Sequence, residues 1–593
     1  MPATLALDTS APAAAQARVR PSARAALRIL WPHVRRHWWL PAITLVTLLV
    51  SSVAQIGLAW SLKLVVDAVT GHDRQRLYDA IAVVVALGVL LPLADAVMQL
   101  SRSVFGGRVA RELKDRVFGH LLLAPAAFHD GRHSGELQSR LSDDVGTVES
   151  MVTNDIVNFL QQPLLALGSF AYVLSLNGRL ALAVSVIGPG LYLLNRLWGP
   201  SLYARSRRAH EAAAALSQFA VDALGGVQPI KALRAEGAVA ARFRGALAEQ
   251  YGARLGEWLL SGVTGTISGW LGFAPFVIVF ALGGIWVVDG RLTLGTLVAV
   301  VQLMNNIVSP FGNLAGAWRG IQTGRASVDR IGELLAVPEE PSGTALTVAR
   351  EDPVGQPPPP TAQPARPDAA PAVAVQGVRF GYDPAAPVLT DASVAFTPGA
   401  FTAVVGPNGG GKSTLAKLLL ALYKPQAGEI TWDGRPQGEW PLALWRARIA
   451  YLPQEAFLID ASVADNLRLG APAAAEGDLR AALDRVGLPA ADPGFLAMRT
   501  GERGKRLSGG QCLRLGLARA LLSDARLWIL DEPSAALDPE ATATLRRTLR
   551  GLHGTHTVIV ISHSSDLIAG ADRVVRVAGG TVTPASVPAG ADA

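Results

Sequence analysis

Phe401-Thr-Ala-Val-Val-Gly406-Pro407-Asn408-Gly409-Gly410-Gly411-Lys412-Ser413-Thr414-Leu-Ala-Lys-Leu418 decides how the second half of this chain folds. Five β-type residues run into a glycine-rich loop, and an apolar helix follows. Glycines let successive backbone N–H groups point into one concavity and let phosphates approach the main chain closely. Lys412 is placed to reach the β- and γ-phosphates of a nucleotide, and the Ser413 hydroxyl to hold Mg²⁺ at a helix N-terminus. Around this loop, β-type runs at 373–380, 401–405, 526–530 and 557–561 alternate with helical runs at 412–422, 511–523 and 539–552. Residues 373–585 therefore read as an α/β domain. A second apolar strand, Leu527-Trp-Ile-Leu530, ends in Asp531-Glu532. An Asp-Glu pair by itself is an ordinary solvated loop. At the end of such a strand, downstream of a phosphate loop, Asp531 is placed for the Mg²⁺ shell and Glu532 for polarising an attacking water.

The first half has a different grammar. Six apolar runs, at 40–62, 78–100, 155–177, 180–200, 259–288 and 293–317, each reach the roughly 20 residues a helix needs to cross a bilayer. One or two such runs fit the interior of a soluble protein; six do not. The totals agree: 50% of the 593 residues are hydrophobic and 17% charged, too apolar for a soluble protein and too charged for a fully embedded one. The net charge of +7 gathers as arginines beside apolar runs, which points to a membrane surface and not to nucleic acid. Residues 23–39 read as an amphipathic segment at that surface, with Arg35 and Arg36 for headgroups and Trp31, Trp38 and Trp39 for the interfacial belt. The connections 101–154 and 201–258 and the segment before Trp38 are rich in Lys and Arg. The opposite connections offer only Lys63, Arg74, Arg76, Arg179 and Arg291. That asymmetry predicts a cytoplasmic N-terminus, with the two long connections as cytoplasmic extensions of the spanning helices. Residues 1–22 read as a disordered N-terminus and 586–593 as a tail, and no cleaved leader is expected. The run Pro357-Pro358-Pro359-Pro360 marks 337–372 as a linker. The only cysteine, Cys512, leaves no intrachain disulfide.

Leu507-Ser508-Gly509-Gly510-Gln511 opens a further helix, with Ser508 as its N-cap and an anion-favouring N-terminus. A chain that already has a phosphate loop needs another user for this second site. Here the chain resembles the ATP-binding cassette (ABC) transporters, specifically exporter-type half-transporters. That family has a six-helix membrane domain, here 23–336, and an α/β P-loop ATPase domain of ABC type, here 373–585. The resemblance implies that Ser508, Gly509, Gly510 and Gln511 complete the ATP site of an opposing domain. It implies that Tyr382 in Phe380-Gly-Tyr382 stacks on adenine. It implies that Gln454 in Tyr451-Leu-Pro-Gln454-Glu455 contacts Mg²⁺ and water, and that His563 after Val558-Ile-Val-Ile-Ser562 acts on the γ-phosphate. Ala535-Ala-Leu-Asp538 resembles the loop crossing the dimer interface, and Gly501-Glu-Arg-Gly504 the loop touching intracellular helices. Phe128–Val145 and Gln228–Glu236 resemble the cytoplasmic connections that contain coupling helices. Five positions depart from the family pattern: Cys512 and Leu513 stand where polar residues are usual, Gly410 and Ala535 where Ser is common, and Ser564 where Arg is frequent.

The resemblance implies ATP and Mg²⁺ as ligands and a second half-transporter as partner, a homodimer being favoured and a heterodimer possible. It implies a multi-pass inner (plasma) membrane protein with a cytoplasmic ATPase domain. Export of an amphipathic or hydrophobic substrate leads, and uptake by the same architecture is the alternative. A cassette protein of DNA repair or translation is excluded by the apolar runs. Gln55, Gln99, Gln161, Gln162, Asn195, Gln302, Asn305 and Asn306 lie on or near the spans and suit either a polar cavity or interhelical hydrogen bonds. Asp95 is the one carboxylate well inside a span, so a cavity or a partner is expected to face it.

Overall fold

The computed structural model describes residues 23–132, 134–185, 187–340, 369–383 and 385–586. The expected disordered N-terminus, most of the Pro-rich linker and the C-terminal tail lie outside these residues. The chain divides into two compact units. One comprises Met1–Phe118 and Gly135–Ala336, the other Gly119–Ser134 and Val337–Ala593.

The first unit is helical. A short helix, Ala23–Arg36, precedes Trp39–Thr70. Together with Trp39–Thr70, the helices Arg74–Leu123, Gly135–Leu176, Glu236–Val288 and Leu294–Leu335 are, among the described residues, long and apolar enough to cross a membrane. They cover five of the expected spans. The remaining one, 180–200, falls on Gly178–Ser185 and Ile187–Gly225, which are separated by Val186 outside the described residues. Glu236–Val288 has 53 residues, about 80 Å of helix, more than twice the hydrocarbon thickness. The connections are thus helical extensions, as their composition predicts. Gly135–Leu176 is interrupted by π-turns at Arg140–Asp144 and Met151–Asp155. Beside the first, buried Asp144 accepts from Ser327 Oγ at 2.9 Å and from Arg330 Nε at 3.0 and 3.1 Å. Gly324 lies where a Cβ would stand 2.5–2.8 Å from Met151, so the missing side chain permits the close packing of Leu294–Leu335 against the second π-turn.

The second unit is built on a ten-stranded sheet. Its strands are β1 (Val373–Phe380), β2 (Leu389–Phe396), β3 (Phe401–Val405), β4 (Ala427–Trp432), β5 (Arg435–Pro436), β6 (Ile449–Leu452), β7 (Leu527–Asp531), β8 (Thr557–Ile561), β9 (Arg573–Ala578) and β10 (Thr581–Ala585). The order is β5-β4-β1-β2-β10-β9-β3-β8-β7-β6. Strands β9, β3, β8, β7 and β6 are mutually parallel, while β1, β2, β4 and β5 form an antiparallel flank. Parallel strands covered on both faces read as continuous apolar runs, as in Leu527–Asp531 and Thr557–Ile561, where every residue is buried. Their side chains alternate. Trp528, Leu530, Val558 and Val560 join a core with Leu515 and Leu517 of the helix Gly509–Leu522. Leu527, Ile529, Ile559 and Ile561 join another with Leu415 and Leu418 of the helix Lys412–Leu419. The sheet is therefore sandwiched, and the loops after its parallel strands converge at one edge.

Removing the Asp144 carboxylate leaves a half-exposed guanidinium without its anion. Asp144→Ala is expected to cost about 2 kcal/mol, measured as a lower thermal unfolding midpoint in detergent. Adding Arg330→Ala should cost less than the sum of the two single changes, because the same contacts are being removed.

Candidate functional site

Strands β3, β8, β7 and β6 are adjacent and parallel. Their C-terminal ends carry, in that order, the loop Gly406–Ser413, His563, Asp531-Glu532 and Gln454. Sequence separations of well over a hundred residues thus collapse into one cleft. A cavity of about 350 Å³ is lined by Tyr382, Val388, Asn408, Gly409, Gly410, Gly411, Lys412, Ser413, Thr414, Gln454, Asp531, Glu532 and His563. This size suits a small-molecule ligand. Val388 is the lining residue that the sequence did not single out; an isolated valine before a strand carries no chemical signal.

The loop needs its glycines for space and for backbone conformation. A Cβ at Gly406 would stand 2.1 Å from the Val577 carbonyl oxygen, and one at Gly410 2.9 Å from the same atom. Gly409 (φ 75°) and Gly411 (φ 101°) lie in the left-handed region. Gly410, a departure from the family's Ser, is thus accommodated by contact with β9. Lys412 is buried, and its ammonium donates to the carbonyls of Gly406 (2.8 Å) and Pro407 (3.1 Å) and lies 3.1 Å from His563 Nε2. Asp531 is buried too. Burial pushes its carboxyl up, against the opposing pull of a Ser413 hydrogen bond and the Lys412 charge. Burial also pushes the Tyr451 phenol up to about 12, with the Asp531 charge adding to the shift. Glu532 adopts φ 49°, a strained conformation for a non-glycine residue. Its N–H is held by the Ile561 carbonyl at 2.9 Å, and its carboxylate is 3.6 Å from His563 Nε2. A buried carboxylate, the Ser413 hydroxyl, a buried ammonium, a glycine cradle and a second carboxylate fit a Mg²⁺-nucleotide: cations and backbone N–H groups for phosphate, hard oxygens for the metal.

Tyr382 stands at the rim, half-exposed, with its hydroxyl 3.3 Å from Thr414 Oγ1. The Lys417 ammonium lies over its ring at 5.3 Å. Lys417 and the Tyr423 hydroxyl both donate to Asp130 Oδ2, at 3.0 and 2.6 Å. Asp130 ends the short helix Ala126–Asp130, within the segment Gly119–Ser134 that belongs to this unit. The Tyr423 hydroxyl, then Lys417, hold the Asp130 carboxyl below the usual range. Burial alone would lower Lys417; Asp130 keeps it raised. The segment is tied down further by Glu340, whose N–H donates to the Leu123 carbonyl (2.8 Å) and whose carboxylate accepts from Arg446 (2.6 Å).

Ser508, Gly509, Gly510 and Gln511 do not line this cavity. They form the N-terminus of the helix Gly509–Leu522, where Ser508 is the N-cap. Gln511 N–H donates to Ser508 Oγ (3.2 Å) and Gln511 Oε1 accepts from Ser508 N–H (2.9 Å), a capping box. A Cβ on Gly510 would stand 2.9 Å from the Ala536 carbonyl oxygen, so the glycine brings this helix end against Ala535–Asp538.

The fold and site define an ATP-hydrolysing α/β domain fused to a membrane-spanning helical domain. Residues 42–311 match the family model described as ABC transporter transmembrane region, and residues 389–535 that described as ABC transporter. The chain is similar to an ATP-dependent lipid A-core flippase of Xanthomonas oryzae pv. oryzae, 30% identical over 507 residues covering 83% of this chain and 81% of the relative. It is similar to a multidrug resistance ABC transporter ATP-binding and permease protein of Lactococcus lactis, 27% identical over 85% of this chain and 83% of that one. It is also similar to a fatty acid ABC transporter ATP-binding/permease protein of Mycobacterium bovis, 29% identical over 80% and 72%. A solved bacterial Atm1-family ABC exporter with ATP bound matches the fold at a TM-score of 0.71 over 93% of this chain and 94% of that one, with 24% identity. The chain belongs to the ABC transporter family: it is an exporter-type half-transporter, an ATPase coupled to movement of a substance across a membrane.

The raised Asp531 carboxyl keeps its proton to higher pH in the folded state than in the unfolded one. Its contribution to stability is fully present below the ordinary carboxylate range and is lost as pH rises through the raised value. Asp531→Asn should therefore raise the unfolding midpoint of the nucleotide-free protein at neutral and alkaline pH. The gain should shrink on acidification, followed by thermal unfolding across pH.

Proposed function

We propose that this chain exports an amphipathic or hydrophobic molecule (peptide, lipid or drug-like) across the cell's inner membrane, with its N-terminus and ATPase domain in the cytoplasm. The observation that carries the reading is the convergence of Lys412, Ser413, Gln454, Asp531, Glu532 and His563 in one cavity. Lys412 and the loop N–H groups take the phosphates, Tyr382 stacks on adenine, and Ser413, Asp531 and Gln454 hold Mg²⁺. The metal would neutralise charge developing on the phosphoryl oxygens. Glu532 polarises the attacking water and His563 contacts the γ-phosphate. Ser508–Gln511, which lie outside this cavity, serve the ATP of a second copy, so two chains enclose two nucleotides. A homodimer is self-sufficient because every motif is intact; a different second half is the alternative.

ATP then acts as a ligand that prefers the closed pair. Asp130 carries the effect outward: it is bonded to Lys417 and Tyr423, and Lys417 lies over Tyr382. The names of the relatives support an amphipathic cargo, since they move lipid A-core, fatty acid or multiple drugs.

ATP-dependent accumulation of substrate in inside-out vesicles is the expected result. Accumulation only in right-side-out vesicles would mean uptake instead. Glu532→Gln should lower ATP turnover by about 10²–10⁴-fold while nucleotide stays bound, measured by phosphate release and nucleotide retention; turnover at the wild-type rate would remove Glu532 as the base. Asp130→Ala should lower the number of molecules transported per ATP hydrolysed, measured in the same vesicles.

A further inference from the structure

Asp95 lies on the helix Arg74–Leu123, and its Oδ1 accepts a 2.7 Å hydrogen bond from Ser51 Oγ on Trp39–Thr70. Ser51 is fully buried and in turn accepts from Gln55 Nε2 at 3.3 Å. This relay fixes the carboxylate in one orientation. Ser51 is 11 residues beyond Leu40, so Asp95 sits about 16 Å along the helix from the start of the hydrocarbon, near its midplane.

The side chain is exposed in the single chain, on a different side of the helix from the large exposed apolar residues nearest it in sequence. Within about three turns of Asp95, the large exposed apolar residues of this helix, Val85, Val89, Leu90, Leu93, Val97 and Leu100, form one stripe. Asp95 is displaced from Leu93 by about 200° around the helix axis. It belongs instead to the face Gly88, Pro92, Asp95 and Gln99, and a Cβ at Gly88 would meet nothing within 4 Å. That face is small and polar, suited to a water-filled cavity.

No counter-charge is at hand. Among the described residues no basic side chain pairs with Asp95. The next cation along the helix, Arg102, donates to Gln99 at 3.1 Å, one turn short. Within the six apolar runs the only basic residue is Arg196. It is four residues from the cytoplasmic end of its run, about 6 Å deep, and a second copy would bring nothing else. A carboxylate at the midplane without an internal cation is an expensive arrangement unless something else supplies the charge.

We infer that Asp95, oriented by Ser51 and Gln55, is a substrate-binding residue that selects amphipathic molecules carrying a positive charge. This inference rests on the transport reading above and narrows its substrate class. It also separates this chain from relatives named for fatty acid and lipid A-core, which are anionic.

The test uses the full-length protein in proteoliposomes. ATP-dependent transport is measured for a lipophilic cation (tetraphenylphosphonium), a neutral fluorescent amphiphile and a fluorescent fatty acid. Wild type should move the cation fastest. In Asp95→Asn the cation-to-neutral rate ratio should fall at least tenfold, and Asp95→Glu should restore most of it. An unchanged ratio in Asp95→Asn, or equal loss of both probes, overturns the inference by leaving Asp95 no role in charge selection. Wild-type transport of the neutral or anionic probe but not the cation overturns it while leaving export intact. Transport of no probe overturns the inference, and the inside-out vesicle assay then decides export separately.

Discussion

The buried ammonium of Lys412 organises the ATPase domain. It is held by two carbonyls of its own loop and lies against His563, which ends the neighbouring strand β8. A charge this buried is tolerable only when hydrogen-bonded, and here the partners come from the termini of adjacent parallel strands. The same strand ends bury Asp531, and burial raises its carboxyl against the pull of the Lys412 charge; the cleft suits a ligand bearing both negative charge and a metal. The loop carbonyls of Gly406 and Pro407 offset part of the cost of burying this charge. Stability is conceded where function needs preorganisation.

Much of this was legible because the chemistry is local. The strands 373–380, 401–405 and 557–561 fall where β-type composition puts them, and β7 is shifted by one residue. Strands β3, β7 and β8 are apolar along nearly all their length, since parallel strands are buried on both faces. Of the antiparallel flank only β1 is legible in the sequence. Strands β2 and β4 expose part of each strand and are interrupted by polar residues, so no continuous run marks them. The sheet order was illegible for another reason: β3 lies between β9 and β8, a pairing set by packing and not by local propensity. Likewise, Asp130 meets Lys417 and Tyr423 across 287 and 293 residues. Nothing in one sequence announces such pairs.

The division of the chain sharpens the sequence reading. Composition drew the boundary at the Pro-rich linker. The compact units put Gly119–Ser134, taken from the middle of the helical half, with the ATPase domain. The reason lies in the side chains: Asp130, His120 and the Leu123 carbonyl find their partners in Lys417, Tyr423, Glu339 and Glu340. One continuous helix, Arg74–Leu123, therefore begins in one unit and ends in the other, passing Asp95 on the way.

The departures at Cys512 and Leu513 have a physical account. Leu513 is buried in the core with Leu452 and Leu458. The Cys512 thiol is 3.6 Å from the Gly504 carbonyl, and a Cβ on Gly504 would stand 2.9 Å from its sulfur. Gly501, Arg503 and Gly504 all have positive φ, so the loop before the helix turns tightly enough to reach that sulfur. Burial pushes the thiol up, leaving it neutral and apolar in character. The thiol donates a weak bond to the Gly504 carbonyl and otherwise packs as a small apolar group. The loop 501–504 is thus joined to the helix Gly509–Leu522 by close packing, and Ser508 and Gln511 remain at the helix end, bonded to each other and otherwise open.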